Sequence, residues 1–223
     1  MNQRRVPVVS GRMRHLMPLL ACVLLPSALL ALPFDGSWRE QRFSLFSSND
    51  YTQRGAALEL VSDGAVSLLW RTVPTEARGA RQAMWRWQVD QTVPVTDLAR
   101  KGGDDRNMSL YFVFLPNDLV AEAEGRPIRW LLKRPEVRVL LYVWGGKGPR
   151  GRLVPSPYLQ GQGTSVVLRD AGTGAFSETV DLADDYRRAF GHAAGALVGL
   201  AVSSDGDDTG SVVRATLSEL ELR

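Results

Sequence analysis

Two short acidic stretches carry the residue types best suited to chemistry. Asp205-Gly206-Asp207-Asp208-Thr209-Gly210 sets side-chain oxygens at positions 1, 3 and 5 and a glycine at position 6. That is the spacing of the first half of a calcium loop, where oxygens converge on a hard cation and the glycine permits the sharp turn. Asp205, Asp207 and Thr209 are therefore candidate calcium ligands. The twelfth position is Thr216 rather than Glu, which excludes an EF-hand. The same residue types also form tight turns, and a turn between two strands is the competing reading. The second stretch is Lys101-Gly102-Gly103-Asp104-Asp105-Arg106. Neighbouring carboxylates can split their pKa values so that one stays protonated and acts as an acid. Against this, adjacent residues of an extended strand point to opposite faces, and a salt-bridged loop anchoring two strands explains the same residues. Lys101, Asp104, Asp105 and Arg106, together with Trp144, form the candidate ligand-binding set. Asp104 or Asp105 can also complete the calcium site.

Trp85, Trp87, Tyr142 and Trp144 can stack on sugar rings or fill a sandwich core, since Trp serves both settings. Other chemistries lack their residues. Cys22 is the sole cysteine and lies near the N-terminus, and His192 is the one histidine beyond residue 15. Thiol catalysis and a histidine-rich zinc site are excluded. There is no Gly-x-Ser-x-Gly nucleophile elbow, and no glycine-rich phosphate loop sits between a strand and a helix.

The elements that must position these groups read as β-structure. The densest stretch, Met84 to Phe114, has two apolar strands flanking a polar loop. In the first, Trp85, Trp87 and Val89 share one face. The second, Leu110 to Leu115, is apolar on both faces and predicts a central strand covered on both sides. Further strands are expected at 43–46, 56–61, 65–73, 137–144, 165–169, 197–203 and 212–222. Asp63-Gly64 between two apolar runs signals a hairpin. Residues 116–135, with two helical turns near Asp118 and basic residues around Trp130, form an expected insertion packed on the sandwich. One helix is expected at Leu182–Phe190: Asp181 caps it, Leu182, Tyr186 and Phe190 share a face, Asp184 pairs with Arg188, and Gly191 ends it. The fold class is thus mainly β, a jelly-roll-like antiparallel sandwich with one short helix and a small helical insertion. Up-and-down alternation from Met84 brings loops 90–107, 145–163 and 204–211 to one rim, where the two acidic stretches meet.

Residues 1–31 read as a signal peptide and 32–223 as a single domain. Arg4, Arg5, Arg12 and Arg14 precede an apolar run from Leu16 to Leu30, which Pro18 and Pro26 interrupt. The run is short for a membrane span of about 20 residues. A periplasmic or secreted protein is expected, with membrane contact only through an uncleaved signal segment. Removing those four arginines leaves 23 of the 27 basic residues against 24 acidic ones. A near-neutral chain argues against nucleic-acid binding.

Five motifs in order carry a resemblance: Trp85-Arg86-Trp87, Lys101-Gly-Gly-Asp104-Asp105, Tyr142-Val143-Trp144, Asp185-Tyr186…Phe190-Gly191, and Asp205-Gly-Asp207-Asp-Thr209-Gly210. Over residues 38–223 the chain resembles exported bacterial proteins of domain-of-unknown-function family 3047. It departs from that pattern after Asp105, where Arg106-Asn107-Met108 follows, and in its final strand. The resemblance implies export and a sandwich similar to the jelly rolls of sugar-binding modules, and it implies no activity. Three functions follow as expectations. The first is a non-catalytic module binding a carbohydrate or another envelope ligand. The second is a carboxylate-dependent, polysaccharide-acting enzyme using Asp104, Asp105 and Asp205. The third is a structural partner of an envelope protein. Carboxylates about 5–10 Å apart across an open cleft favour hydrolysis. Carboxylates tied to Lys101 or Arg106 and sealed by packing favour a scaffold.

Overall fold

The computed structural model describes Met1 and residues 29–223. The expected signal segment lies outside the described residues except at its two ends. In chain order the described strands are β1 (Leu30–Ala31), β2 (Arg39–Arg42), β3 (Asp50–Gln53), β4 (Ala57–Asp63), β5 (Ser67–Thr72), β6 (Gln82–Gln91), β7 (Arg106–Leu115), β8 (Arg138–Trp144), β9 (Arg152–Pro155), β10 (Gly163–Arg169), β11 (Gly174–Asp181), β12 (Ala196–Asp205) and β13 (Val212–Leu222). One sheet has the order β11-β6-β13-β4-β3, with β1 also on β13; the other has the order β2-β5-β12-β7-β8-β10-β9. The two sheets form the expected jelly-roll-like sandwich.

Alternation in the sequence explains which sheet faces meet. In β6, Trp85, Trp87 and Val89 are buried while Arg86 and Gln88 face solvent. The inward row of β7 is Met108, Leu110, Phe112 and Phe114, and that of β8 includes Leu140, Tyr142 and Trp144. These rows make the inter-sheet core, with Trp87 5.5 Å from both Trp85 and Trp144, ring centre to ring centre. Each buried side chain of this size contributes about 1.5–3 kcal/mol or more. β7 is covered on its outer face too, where Val113, Leu115, Val139, Leu141 and Val143 form a second apolar cluster with Leu131 of the insertion. The two-sided apolar character of 110–115 thus has the cause read from the sequence.

Several elements differ from the sequence reading. The expected strand 43–46 is a loop with Leu45 and Phe46 almost fully exposed, and the strand lies just before it, at the polar segment Arg39–Arg42. Asp63-Gly64 makes no hairpin. β4 pairs with β3 and β13, and β5 pairs with β2 and β12, so this turn carries the chain from one sheet to the other. β10 pairs with β8 in parallel, so the seven-stranded sheet is mixed. The long loop 145–163 contains β9, which β10 accepts as an antiparallel edge.

The insertion carries two single-turn helices, α1 (Val120–Ala123) and α2 (Ile128–Leu131). The one longer helix among the described residues, α3 (Leu182–Phe190), starts as expected. The Asp181 carboxylate accepts the Asp184 N–H at 2.8 Å, and Gly191 ends the helix in the left-handed region at φ 80°. Its ion pairs are Asp184–Arg187 and Asp185–Arg188, one residue closer than the expected Asp184–Arg188 pair.

Candidate functional site

The acidic stretches meet at one rim, as the alternation argument requires. β7 begins at Arg106, opposite Asp205 at the end of β12. The register shifts between the Ser109–Ser203 and Arg106–Asp205 pairs. That bulge brings Arg106 into reach of the outer row of β7, so that its Nε donates to Ser109 Oγ at 2.8 Å and its Nη2 to Tyr111 OH at 3.2 Å. Nη1 lies 2.7 Å from Asp104 Oδ2 and 3.2 Å from Asp205 Oδ2. The guanidinium is buried, and so are both carboxylates. Gly145 lets the end of β8 approach: a Cβ there would sit 2.6 Å from Arg106 Cβ.

Burial works against the Arg106 charge, but Tyr111, Asp205 and Asp104 together raise its pKa. Burial also pushes the Asp205 carboxyl up, to about 8, against the pull of Arg106; Asp207 and Asp105 push the same way. Asp208 is raised by burial first, then by Asp207, Asp105 and Asp104.

Asp105 is fully buried and has a different role. It accepts the Thr209 N–H at 2.8 Å and the Thr209 hydroxyl at 2.5 Å, both on Oδ2, and the Asp208 N–H at 3.3 Å on Oδ1. One carboxylate therefore clamps the 205–210 turn through neutral donors, while the ion pair of the loop is Asp104–Arg106. Of the expected calcium set, Asp205 turns Oδ2 to Arg106 and Thr209 gives its hydroxyl to Asp105. The carboxylates of Asp105, Asp207 and Asp208 lie close together, with one oxygen of each within 4.8 Å of the others.

Lys101 stands at the rim with Nζ 5.4 Å from the Tyr158 ring centre, and the Gly102 N–H donates to Tyr158 OH at 3.1 Å. Trp144 is misplaced by the sequence reading. It is 1% exposed and packs between Trp87 and Phe176 in the inter-sheet core, so it offers a ligand no surface. Trp85, Trp87 and Tyr142 are core as well, with Tyr142 OH donating to Asp185 on α3 at 2.9 Å.

Beside the rim, on the outer face of the seven-stranded sheet, lies a cleft of about 530 Å³. Its floor is aliphatic: Leu68 of β5, Val113 of β7, Val139 and Leu141 of β8, and Ala201 of β12. Its walls come from three segments remote in sequence: Phe43 after β2, Ile128 and Leu132 of the insertion, and Ser156, Tyr158 and Leu159 after β9. One part of the lining is polar, with Arg106, Tyr111, Asp205 and Asp207. Asp104 and Asp105 do not line it. Sequence reasoning missed Tyr111, Tyr158 and the whole cleft. The available signal was Tyr111, the one polar-tipped aromatic in the outward row of an otherwise apolar stretch.

Among solved structures, the fold is similar to the xyloglucanase domain of NopAA, a type three effector from Sinorhizobium fredii, in complex with cellobiose. The TM-score is 0.45 at 8% identity, over 83% of this chain and 92% of that one. It is also similar to the family 11 xylanase from Neocallimastix patriciarum, with TM-score 0.45 at 11% identity, over 87% of this chain and 94% of that one. No curated protein matches the chain in sequence. The family model described as protein of unknown function, DUF3047, matches residues 36–221, and the chain belongs to that family.

Proposed function

We propose that this is an exported, non-catalytic binding module whose cleft holds an amphiphile, with an aliphatic body along the sheet and a hydroxylated, sugar-like head at the acidic end. One observation carries this reading: the cleft divides into a floor of Leu68, Val113, Val139, Leu141 and Ala201 and a polar part of Asp205, Asp207, Arg106 and Tyr111. Carboxylates, a guanidinium and a phenol are hydrogen-bonding partners for hydroxyl groups. The aliphatic floor suits methylene groups, while the aromatic rings of the lining, Phe43, Tyr111 and Tyr158, stand in the walls and the polar part. The burial of Asp104 and Asp205 against Arg106 supports binding over hydrolysis, because neither carboxylate stands free across an open cleft.

The test is calorimetric titration of the full chain with monomeric alkyl glucosides of increasing chain length, beside glucose and cellobiose. Each buried methylene contributes about 0.8 kcal/mol, so two further methylenes tighten binding roughly ten-fold. Ala201→Phe fills the floor and abolishes that dependence while the variant stays folded. Binding that ignores chain length, or that survives Ala201→Phe, refutes the amphiphile reading. Cellobiose binding as tightly as any alkyl glucoside points to a carbohydrate alone.

A further inference from the structure

We infer that the loop after β2 and the helical insertion together dock the folded domain on an anionic lipid surface. The docking residues lie outside the cleft lining, so the contact stands apart from what the cleft takes. It is also distinct from the membrane contact expected of an uncleaved signal segment. Between β2 and β3 the chain leaves one sheet for the other. Both ends of that crossing are fastened. Arg42 closes the β2–β5 pairing opposite Ser67. The buried Asn49 donates its N–H to Ser67 Oγ at 3.1 Å and its side-chain amide to Ser204 O at 2.8 Å. Between these ends the Phe46 N–H donates to Ser44 Oγ at 3.1 Å, and Leu45 and Phe46 are 91% and 97% exposed. Large apolar side chains held in water on a fastened loop contribute nothing to the core, and apolar groups so placed mark contact sites.

The charges beside this tip say what covers it. The insertion stands against the loop: Arg129 Nη2 donates to Arg42 O at 3.4 Å, and Phe43, Ile128 and Leu132 wall the same cleft. The acids nearby are paired within the protein. Glu122 and Glu136 pair with Arg134, Glu124 pairs with Arg78, and Glu40 of β2 pairs with Arg42. Among the described residues, Arg126, Arg129 and Lys133 enter no salt bridge, and Asp118 is the insertion's one acid outside an ion pair. All three cations are exposed, and Arg126 lies over the half-buried Trp130, 5.4 Å from its ring centre. Exposed Leu and Phe beside unpaired Arg and Lys suit a membrane interface, where apolar groups enter the acyl boundary and cations meet anionic headgroups. A second copy of this chain fits worse, because a two-fold contact sets the same cations face to face. A protein partner also fits worse, since two apolar side chains fall far short of the roughly 20–30 residues a side in a stable interface. Phe43 belongs both to this loop and to the cleft wall, so docking brings the cleft to the lipid surface.

The experiment reads the tip itself. Ser47→Cys, at an exposed position beside Phe46, carries a polarity-sensitive fluorophore in the full chain, with Cys22→Ser removing the only other thiol. The labelled protein is titrated with vesicles of phosphatidylglycerol and phosphatidylcholine, and with vesicles of phosphatidylcholine alone. Emission shifts to the blue on the anionic vesicles, and high salt weakens the binding. Leu45→Ser with Phe46→Ser weakens it roughly ten-fold or more. Arg129→Gln and Lys133→Gln each weaken it about five-fold, on the anionic vesicles only. None of these residues lines the cleft, so all the variants keep the alkyl glucoside titration and the near-ultraviolet circular dichroism of wild type. Docking and the cleft reading can therefore fail separately. No blue shift on anionic vesicles overturns the docking, and so does an equal shift on phosphatidylcholine alone. A shift that survives Leu45→Ser with Phe46→Ser also overturns it. A wild-type dimer in analytical ultracentrifugation that this double variant converts to monomer gives the tip to a second copy and overturns the lipid assignment.

Discussion

Arg106→Gln tests whether one guanidinium holds the rim together. The native side chain meets Asp104 at 2.7 Å, Asp205 at 3.2 Å, Ser109 at 2.8 Å and Tyr111 at 3.2 Å, and all its nitrogens are engaged. Glutamine removes the charge and cannot span these four partners. The buried Asp104 charge is left without its cation, a change that costs about 3–5 kcal/mol, while Asp205, already pushed up to about 8, goes neutral. For a domain of this length each kcal/mol moves the melting temperature by about 2–4 °C. The variant should therefore melt roughly 6–20 °C lower. The assay is urea and thermal unfolding in chelator, followed by near-ultraviolet circular dichroism of the buried Trp85–Trp87–Trp144 cluster. Arg106→Lys should fall between, since it keeps a charge but not the planar fork. The decisive comparison is the triple variant Asp104→Asn, Asp205→Asn, Arg106→Met, which removes all three charges together. If uncompensated charge causes the loss, the triple variant recovers most of it. A loss below about 1 kcal/mol in Arg106→Gln, within the range of exposed pairs, refutes the reasoning. So does a triple variant as unstable as the single one.

Trp144→Ala should cost about 3–5 kcal/mol in urea unfolding, as for a large core side chain, and leave alkyl glucoside affinity unchanged. An affinity loss at full folding would restore Trp144 to the binding surface. Gly145→Ala sets a Cβ 2.6 Å from Arg106 Cβ, closer than packed atoms approach, so strands β7 and β8 must part at the rim. It should destabilise by about 1–3 kcal/mol, seen as a lower urea midpoint with unchanged slope.

The sequence was informative wherever a signal is local. The period of two in β6, the two-sided apolar run of β7, and the Asp181 cap and Gly191 stop of α3 are each written in a few consecutive residues. Pairing is not. β11 joins its sheet through β6, a partner remote in sequence, and the parallel β8–β10 contact depends on β9 entering at the edge. The Asp63-Gly64 turn shows the same limit: its residues specify a sharp bend, but whether the bend joins two partners or two sheets is decided elsewhere. Phe43–Phe46 misled because apolarity predicts burial only when something covers it, whereas Arg39–Arg42 is a strand by virtue of β5 alone. At the site, strand parity brought the acidic stretches together because two strands it left out, β9 and β11, cancel, although it gave β10 the wrong direction relative to β8. The division of labour between the two stretches was not legible. It turns on a one-residue bulge that brings Arg106 toward Tyr111 and leaves Asp105 facing Thr209.

That bulge also links the rim to the cleft. A regular β7 would keep Arg106 with the inward row of Met108 and Leu110, where a guanidinium has no partners among the aromatic rings. The register shift puts it beside Ser109 and Tyr111, and Asp205 follows because it pairs with Arg106 across the sheet. Asp205 and Asp207 then become the acidic part of a cleft whose floor is leucine, valine and alanine. The walls are independent of this device. Phe43, the insertion and the segment after β9 rise from strand ends and can vary in length without disturbing the sheet. The floor and its charged end are therefore fixed by strand register, while the shape of the cleft is set by three loops. Substitutions at Ile128, Leu132 or Leu159 should alter which chain length binds best, and substitutions at Arg106 should alter whether the sandwich holds at all.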